Sequence, residues 1–271
     1  MLLYNNQKIS EEELSVGLSN RAFQYNDGFF ETVIVQEGRL RFWASHLERI
    51  QEAAAALRLA LPQYFYTPDF EDGLLQLAEK QHALERGRLK LKVWRAGAGL
   101  YTPQSNAADW LATVQPVSAA PLTPIQAGVC HSVRTSYSPL SFFKGPNAPL
   151  YVLASIEKQE RKLDDLILLN PQQVAAELSV ANLCWVDQGV LYTPALDTGC
   201  INGVMRRNIL QWCGFKGVKV RQAYFGVERL LRADAVFAAN VTGLRSIASI
   251  EGTEVNLHNT LLDDMKADLL G

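Results

Sequence analysis

No two cysteines in the 271-residue sequence stand close together: Cys130, Cys184, Cys200 and Cys213 form no CxxC pair. A chain of this size does not need covalent staples, so reduced thiols are expected. Four histidines, His46, His82, His131 and His258, are equally scattered and offer no HExxH or other metal-ligand spacing, which leaves a metalloenzyme without support. Gly97 and Gly99 make only an isolated GxG, so neither a dinucleotide fingerprint nor a P-loop is present. An excess of one charge is also missing. Twenty-six Lys and Arg against 28 Asp and Glu give a net charge of −2 and a pI near 6.1, and nucleic acid is not expected as a partner without a basic field. No apolar run approaches the roughly 18 residues of a membrane-spanning helix, and MLLYNNQKISEEE has neither a basic n-region nor a long h-region. A cytoplasmic protein with no membrane partner is expected. Internal repeats and low-complexity tracts are absent as well.

What the sequence does have is ordinary globular composition, 48% hydrophobic and 20% charged, enough for one large or two ordinary domains. LLYNNQKI reads as a short hairpin, and FFETVIVQEGRLRFW as two strands around a Glu37-Gly38 turn. HLERIQEAAAALRL and FEDGLLQLAEKQHAL carry apolar residues at helical spacing. RLKLKVWRAG alternates, with Leu89, Leu91, Val93 and Arg95 on one face and Lys90, Lys92 and Trp94 on the other, and ADWLATVQPV adds a strand. QPVSAAPLTP marks a linker at residues 116–124. It separates a smaller α+β domain at 1–115 from a larger domain at 125–271. The larger domain is expected to hold strands at GVCHSVRT, LILLN, CWVDQGVLYT and AVFAAN. Its expected helices are Leu150 to Lys162, GVMRRNILQWCG and VERLLRA.

Several side chains admit a chemical and a structural reading. Lys144 in SFFKGPN is either a loop lysine whose stem covers a phenylalanine or a desolvated amine able to form a Schiff base. Glu177 before LSVAN is either a solvated turn glutamate or a buried carboxylate that needs a cationic partner such as a pyridinium nitrogen. DTGCINGVMRRNIL places Gly199 and Gly203 in a loop feeding a helix, which suits either a phosphate cradle or an ordinary capped helix. AANVTGLRSI offers Thr242 and Gly243 as a second anion loop or a plain turn. Arg95, at the end of its alternating strand, is either solvated or aimed at a substrate carboxylate.

In this order the stretches resemble the class IV, or fold type IV, pyridoxal-phosphate enzymes, which include branched-chain and D-amino acid aminotransferases and aminodeoxychorismate lyase. RAFQYNDGFFETVIVQEGRLRFWASHLERI resembles the N-terminal signature, SFFKGPNAPLYVLASIEKQE the Schiff-base lysine segment with Asn147, and ELSVANLCWVDQGVLYTPALDTGCINGVMRR the glutamate segment and glycine-rich turn. The resemblance implies two α+β domains with pyridoxal 5′-phosphate in the cleft between them, and a homodimer completing each site. Lys144 is then the catalytic lysine, Glu177 the partner of the pyridine nitrogen, and Asn182 the residue closing the glutamate motif. Ile201 packs on the ring, while Arg49, Gly203, Val204, Met205, Thr242 and Gly243 meet the phosphate. Phe30 and Arg95 are the expected substrate contacts, Arg95 from its place at the end of the alternating strand.

This sequence also departs from the family's patterns. Leu178 replaces a glycine and Met205 a threonine, so only backbone contacts to phosphate survive at Met205 and weaker cofactor binding is expected. Ala148 and Pro149 replace a tyrosine of many branched-chain enzymes. RAGAGLYTP lacks the Arg-x-His trap of D-amino acid aminotransferases, with Leu100 near a substrate-binding arginine of lyases. The expected activity is an aminotransferase acting on a small α-amino acid, because Glu31 in FFET follows the transaminase form of that motif. Aminodeoxychorismate lyase is the alternative, and a cofactor-binding protein without turnover a remote one.

Overall fold

Asn5 and Asn6, at φ 47° and 66°, turn the chain back between β1 (Leu2–Tyr4) and β2 (Gln7–Ile9) in the computed structural model of the protein, which describes residues 1–121 and 123–270. Two successive left-handed residues are what a two-residue hairpin loop of this hand requires. Glu37 and Gly38, at 51° and 72°, repeat the device between β3 (Gly28–Gln36) and β4 (Arg39–Leu40). With β5 (Arg86–Arg95) and β6 (Ala108–Pro116) these strands form a six-stranded sheet in the order β2-β1-β6-β5-β3-β4. The same segment carries the short α1 (Arg21–Tyr25) and two longer helices, α2 (Trp43–Leu57) and α3 (Pro68–Lys80).

Strand alternation decides which side chains meet the helices. On β3, Phe29, Glu31, Val33 and Val35 are buried, while Phe30 and Thr32 on the other face are only half-buried. Helix α2 buries His46, Arg49, Ile50, Ala53 and Ala54, the spacing of one helical stripe. Helix α3 buries Phe70, Leu74, Leu77 and Ala78. Phe70 stacks on Phe65 and meets the edge of Trp110, whose indole N–H donates to the Tyr64 hydroxyl at 2.7 Å.

The chain divides into two units, Met1–Ala119 with Lys144–Pro146, and Ala120–Phe143 with Asn147–Gly271. Leu122, inside the expected linker 116–124, and Gly271, at the end of the expected 125–271 domain, lie outside the described residues.

The second unit is built on β7 (Ile125–Val129), β8 (Asp165–Leu169), β9 (Ala175–Leu178), β10 (Asn182–Asp187), β11 (Val190–Pro194), β12 (Val220–Ala223), β13 (Ala235–Asn240) and β14 (Gly243–Ile250). They run in the order β12-β11-β10-β13-β14-β7-β8-β9, with β15 (Thr253–Glu254) paired to β14. Its helices are α4 (Ala148–Glu160), α5 (Val204–Lys216), the one-turn α6 (Val227–Leu230) and α7 (Thr260–Leu270). Trp185 stacks on Tyr192, with ring centroids 5.4 Å apart, in a core that also takes in Leu178, Leu183, Val236 and Ile247.

Three sequence expectations need correction here. The strand at GVCHSVRT stops at Val129, because beyond Cys130, whose N–H still donates to the Ile167 carbonyl at 2.8 Å, the next N–H groups leave the ladder. Those of His131 and Ser132 donate to the Glu157 carboxylate at 2.9 and 2.8 Å. The helix expected from Leu150 begins at Ala148, with a proline in its first turn, where a missing N–H costs nothing. VERLLRA makes a single turn rather than a full helix.

Candidate active site

In the first unit, the segment Lys144–Pro146 lies against the start of β3. The Phe30 N–H donates to the Lys144 carbonyl at 2.9 Å, and the Asn26 amide donates to the Gly145 carbonyl at 2.9 Å. Gly145 is obligatory there, since a Cβ would sit 2.5 Å from the Gly28 carbonyl oxygen and 2.9 Å from Phe29 Cα. Lys144 is thus fixed by its backbone next to Phe30, whose half-buried ring has the Lys90 ammonium 4.9 Å from its centroid.

Behind that strand lies a buried charge cluster. Arg49 donates from Nε to Glu31 Oε1 at 2.7 Å and from Nη2 to Glu31 Oε2 at 2.6 Å, and His46 Nδ1 lies 2.6 Å from Oε2. Burial opposes ionisation of Glu31, yet Arg49 and His46 outweigh it and hold the carboxyl well below its usual range. Burial, helped by the charges of Arg49 and Lys144, pulls His46 below its usual value against the opposing pull of Glu31. A neutral imidazole therefore donates from Nδ1, and its buried Nε2 has no hydrogen-bond partner. Arg49, the residue expected to grip phosphate, gives its Nε and an Nη2 N–H to Glu31.

Arg95, expected at a substrate carboxylate, has several acceptors inside its own unit. Its Nε donates to Asp27 at 2.9 Å, Nη1 to the Asn106 side chain at 2.6 Å, and Nη2 to the Leu57 carbonyl at 2.6 Å, with weaker bonds at 3.4 Å to Asp27 and the Arg58 carbonyl. Arg21 pairs with the same carboxylate at 2.7 Å. The guanidinium is buried and supplied with acceptors inside its own unit, so a substrate carboxylate would have to displace them. Alternation placed Arg95 on the correct, inward face. What the sequence did not reveal is that Asp27 waits there.

The second unit brings most of the remaining expected residues together. Glu177, on β9, is 2% exposed. The Tyr151 hydroxyl donates to its Oε1 at 2.7 Å and the Ile201 N–H to its Oε2 at 3.1 Å. Asn182 binds the Ile201 carbonyl at 2.7 Å, and a Cβ on Gly203 would lie 1.9 Å from Asn182 Oδ1. The turn around Ile201 is therefore held from both sides, and only glycine fits at 203. Gly203 is the N-cap of α5, yet no side chain caps that helix, although Val204 and Met205 are each 1% exposed. A buried helix start without a capping side chain is a ready anion site. Arg206 braces the turn from below, donating to Asn202, the Pro194 carbonyl and Gln222.

Thr242 lies with Val241 in the two-residue turn from β13 to β14, and Gly243 opens β14, paired with Asn240. The Thr242 N–H and hydroxyl both meet Asn240 Oδ1, at 2.9 and 2.6 Å, so that hydroxyl donates within its own turn. Leu178 packs into the core of the second sheet and the Met205 side chain is buried, which gives both departures from the family pattern a structural place. Cys200, beside Ile201, has its thiol pushed up to about 12 by burial and the Glu177 charge. All four cysteines are buried free thiols. Tyr151 is the site residue that sequence reading missed. Its only signal was its position in the helix that follows the Lys144 segment.

A family model described as amino-transferase class IV matches residues 28–250. Over 247 residues the chain is 30% identical to an aminodeoxychorismate lyase of Vibrio harveyi, covering 88% of this chain and 89% of that protein. It is 26% identical over 263 residues to a D-alanine aminotransferase of Listeria monocytogenes, covering 94% and 89%. A branched-chain amino acid aminotransferase from Escherichia coli superposes with a TM-score of 0.88 at 19% identity, covering 100% of this chain and 92% of that one. At that identity the superposition speaks for a shared fold.

Proposed function

The chain belongs to the amino-transferase class IV family, whose enzymes depend on pyridoxal 5′-phosphate, and has the two-sheet α+β fold of fold type IV, and from that premise we propose that it carries the cofactor on Lys144 and acts as a 4-amino-4-deoxychorismate lyase. The observation that carries the cofactor site is the pairing, in the second unit, of a buried Glu177 carboxylate with the uncapped, buried start of α5. A buried carboxylate gripped by a donor on each oxygen suits a protonated ring nitrogen as its cationic partner, while the helix start suits a phosphate. When bound, the cofactor supplies the electron sink that lets a proton leave the substrate carbon.

On this reading Lys144 Nζ would hold the cofactor covalently and, once free, would take the proton from the substrate carbon that bears the amine, the electron pair breaking the C–O bond to the enolpyruvyl group so that it leaves and is protonated to pyruvate. Glu177 keeps a proton on the ring nitrogen. In the second unit the backbone N–H groups of Val204 and Met205 bind phosphate, and the family resemblance adds Thr242, Gly243 and Arg49 to that role. Ile201 packs on the ring, and Phe30 lies on the substrate side. A homodimer is part of the same reading, and the exposed apolar side chains of Val152, Leu153 and Ile156 on α4 support it.

Two observations support lyase over aminotransferase. The lyase relative is the more similar at 30% against 26%. Glu31, the residue that favoured transamination in the sequence, is 1% exposed with both oxygens on Arg49 and His46, an internal role that serves either reaction. Similarity to D-alanine aminotransferase over 94% of the chain keeps transamination of a small α-amino acid as the second reading. The site is tested by borohydride reduction of the loaded protein followed by peptide mapping. The cofactor is expected on Lys144, with fixation lost in Lys144→Ala. Labelling of another lysine, or full turnover in the variant, contradicts the assignment.

A further inference from the structure

Tyr151 has no part in the roles assigned so far, yet its hydroxyl lies closer to the Glu177 carboxylate than the Ile201 N–H does, at 2.7 Å against 3.1 Å. Glu177 is 2% exposed, so water does not do this work. The two donors come from different places, a side chain on α4 and a backbone N–H of the turn before α5, and they grip opposite oxygens. A carboxylate held in this way has its rotamer fixed and its remaining acceptor directions with it.

Resting on the cofactor reading above, we propose that Tyr151 is a positioning residue for Glu177, donating a hydrogen bond that fixes the carboxylate and keeps it ionised opposite the ring nitrogen. The phenol is suited to this one-way role. Burial and the Glu177 charge hold its proton far more tightly than usual, so the hydroxyl donates at every accessible pH. A hydrogen bond to the charged form stabilises that form. With the hydroxyl gone, the buried carboxylate keeps a single donor from this pair, binds a proton more readily, and competes with the ring nitrogen for the proton they share. Arg206 and Cys200 also act electrostatically on this spot, and both remain in place when the Tyr151 hydroxyl is removed.

The test uses loaded protein carrying cofactor labelled with 15N at the ring nitrogen, whose chemical shift reports its protonation across pH. Tyr151→Phe keeps the ring and removes only the hydroxyl. The variant is expected to show a smaller protonated fraction of the ring nitrogen at pH values below its titration, the ratio of proton on nitrogen to proton on Glu177 falling about tenfold, a change of the kind one charge-assisted bond supplies. Glu177→Gln is expected to abolish protonation, and Tyr151→Phe added to it to change nothing further. A merely structural tyrosine would lower the melting temperature and leave the nitrogen signal in place. An unchanged titration in Tyr151→Phe while Glu177→Gln shows its loss overturns the role of Tyr151 alone. An unchanged titration in Glu177→Gln overturns the assignment of Glu177, and the role of Tyr151 with it.

Discussion

Both carboxylate oxygens of Glu31 are held by one arginine, Arg49, at 2.7 and 2.6 Å, in a place where each side chain is 1% exposed. Removing one partner of such a pair leaves the other charge buried and uncompensated, which costs about 3–5 kcal/mol. Glu31→Ala is therefore expected to lower the unfolding free energy, read from urea titration, by an amount of that order. The double change Glu31→Ala with Arg49→Met should cost less than the two single changes summed, since it leaves no orphan charge. A loss under about 1 kcal/mol for Glu31→Ala would show that the pair is looser than its geometry.

The same cluster makes stability depend on acid. Glu31 is held below its ordinary 4.5 and His46 below its ordinary 6.5, so in both cases the unfolded chain binds more protons than the folded one. Stability from these groups is present above the unfolded values and lost as pH falls through the folded ones. Urea midpoints measured from pH 7 downward should begin to fall near 6.5 and fall further below 4.5. His46→Gln should flatten the upper part of that decline. A wild-type profile level through this window would contradict the account.

Arg95 predicts a split between stability and binding. Its N–H groups are given to Asp27, Asn106 and the carbonyls of Leu57 and Arg58. Asp27 keeps Arg21 when Arg95 is lost, so Arg95→Ala is expected to cost about 2–3 kcal/mol rather than the full penalty of an orphaned charge. KM for the amino substrate should not change in the folded fraction. A raised KM at unchanged stability would restore the substrate role that strand alternation alone suggested.

Gly203 predicts the opposite coupling. A Cβ there meets Asn182 Oδ1 at 1.9 Å, so Gly203→Ala pushes Asn182 off the Ile201 carbonyl and moves the N–H groups at the start of α5. Overpacking of this kind costs about 1–3 kcal/mol, and the dissociation constant for pyridoxal 5′-phosphate should rise with it. Equilibrium dialysis of the cofactor against both proteins measures the effect. Unchanged affinity would place the phosphate elsewhere.

The contrast between Arg95 and Glu177 shows what was legible in the sequence. Period-2 alternation put Arg95 on the inward face of β5 and helical spacing marked the apolar stripe of α2, because these patterns are local, whereas the burial of His46 and Arg49 on that helix was not in the pattern. The partners were not local: Asp27 lies 68 residues from Arg95 and Tyr151 26 residues from Glu177. β9 carried no periodic signal, since Ala175, Ala176, Glu177 and Leu178 are all buried, and a four-residue strand buried on both faces does not alternate. Motif order located the turn at Gly203, while the space that forbids a Cβ there became visible only with Asn182 in place.

The central claim is a lyase reaction on cofactor held by Lys144, and pyruvate release tests it most directly. Purified protein loaded with pyridoxal 5′-phosphate is incubated with 4-amino-4-deoxychorismate and no keto acid, and pyruvate and 4-aminobenzoate are followed together. The expected result is equal, catalytic release of both products, none with Lys144→Ala, and cofactor that stays in its pyridoxal form. No release, together with conversion of the cofactor to its pyridoxamine form by a small amino acid, would contradict the lyase reading and establish transamination in its place.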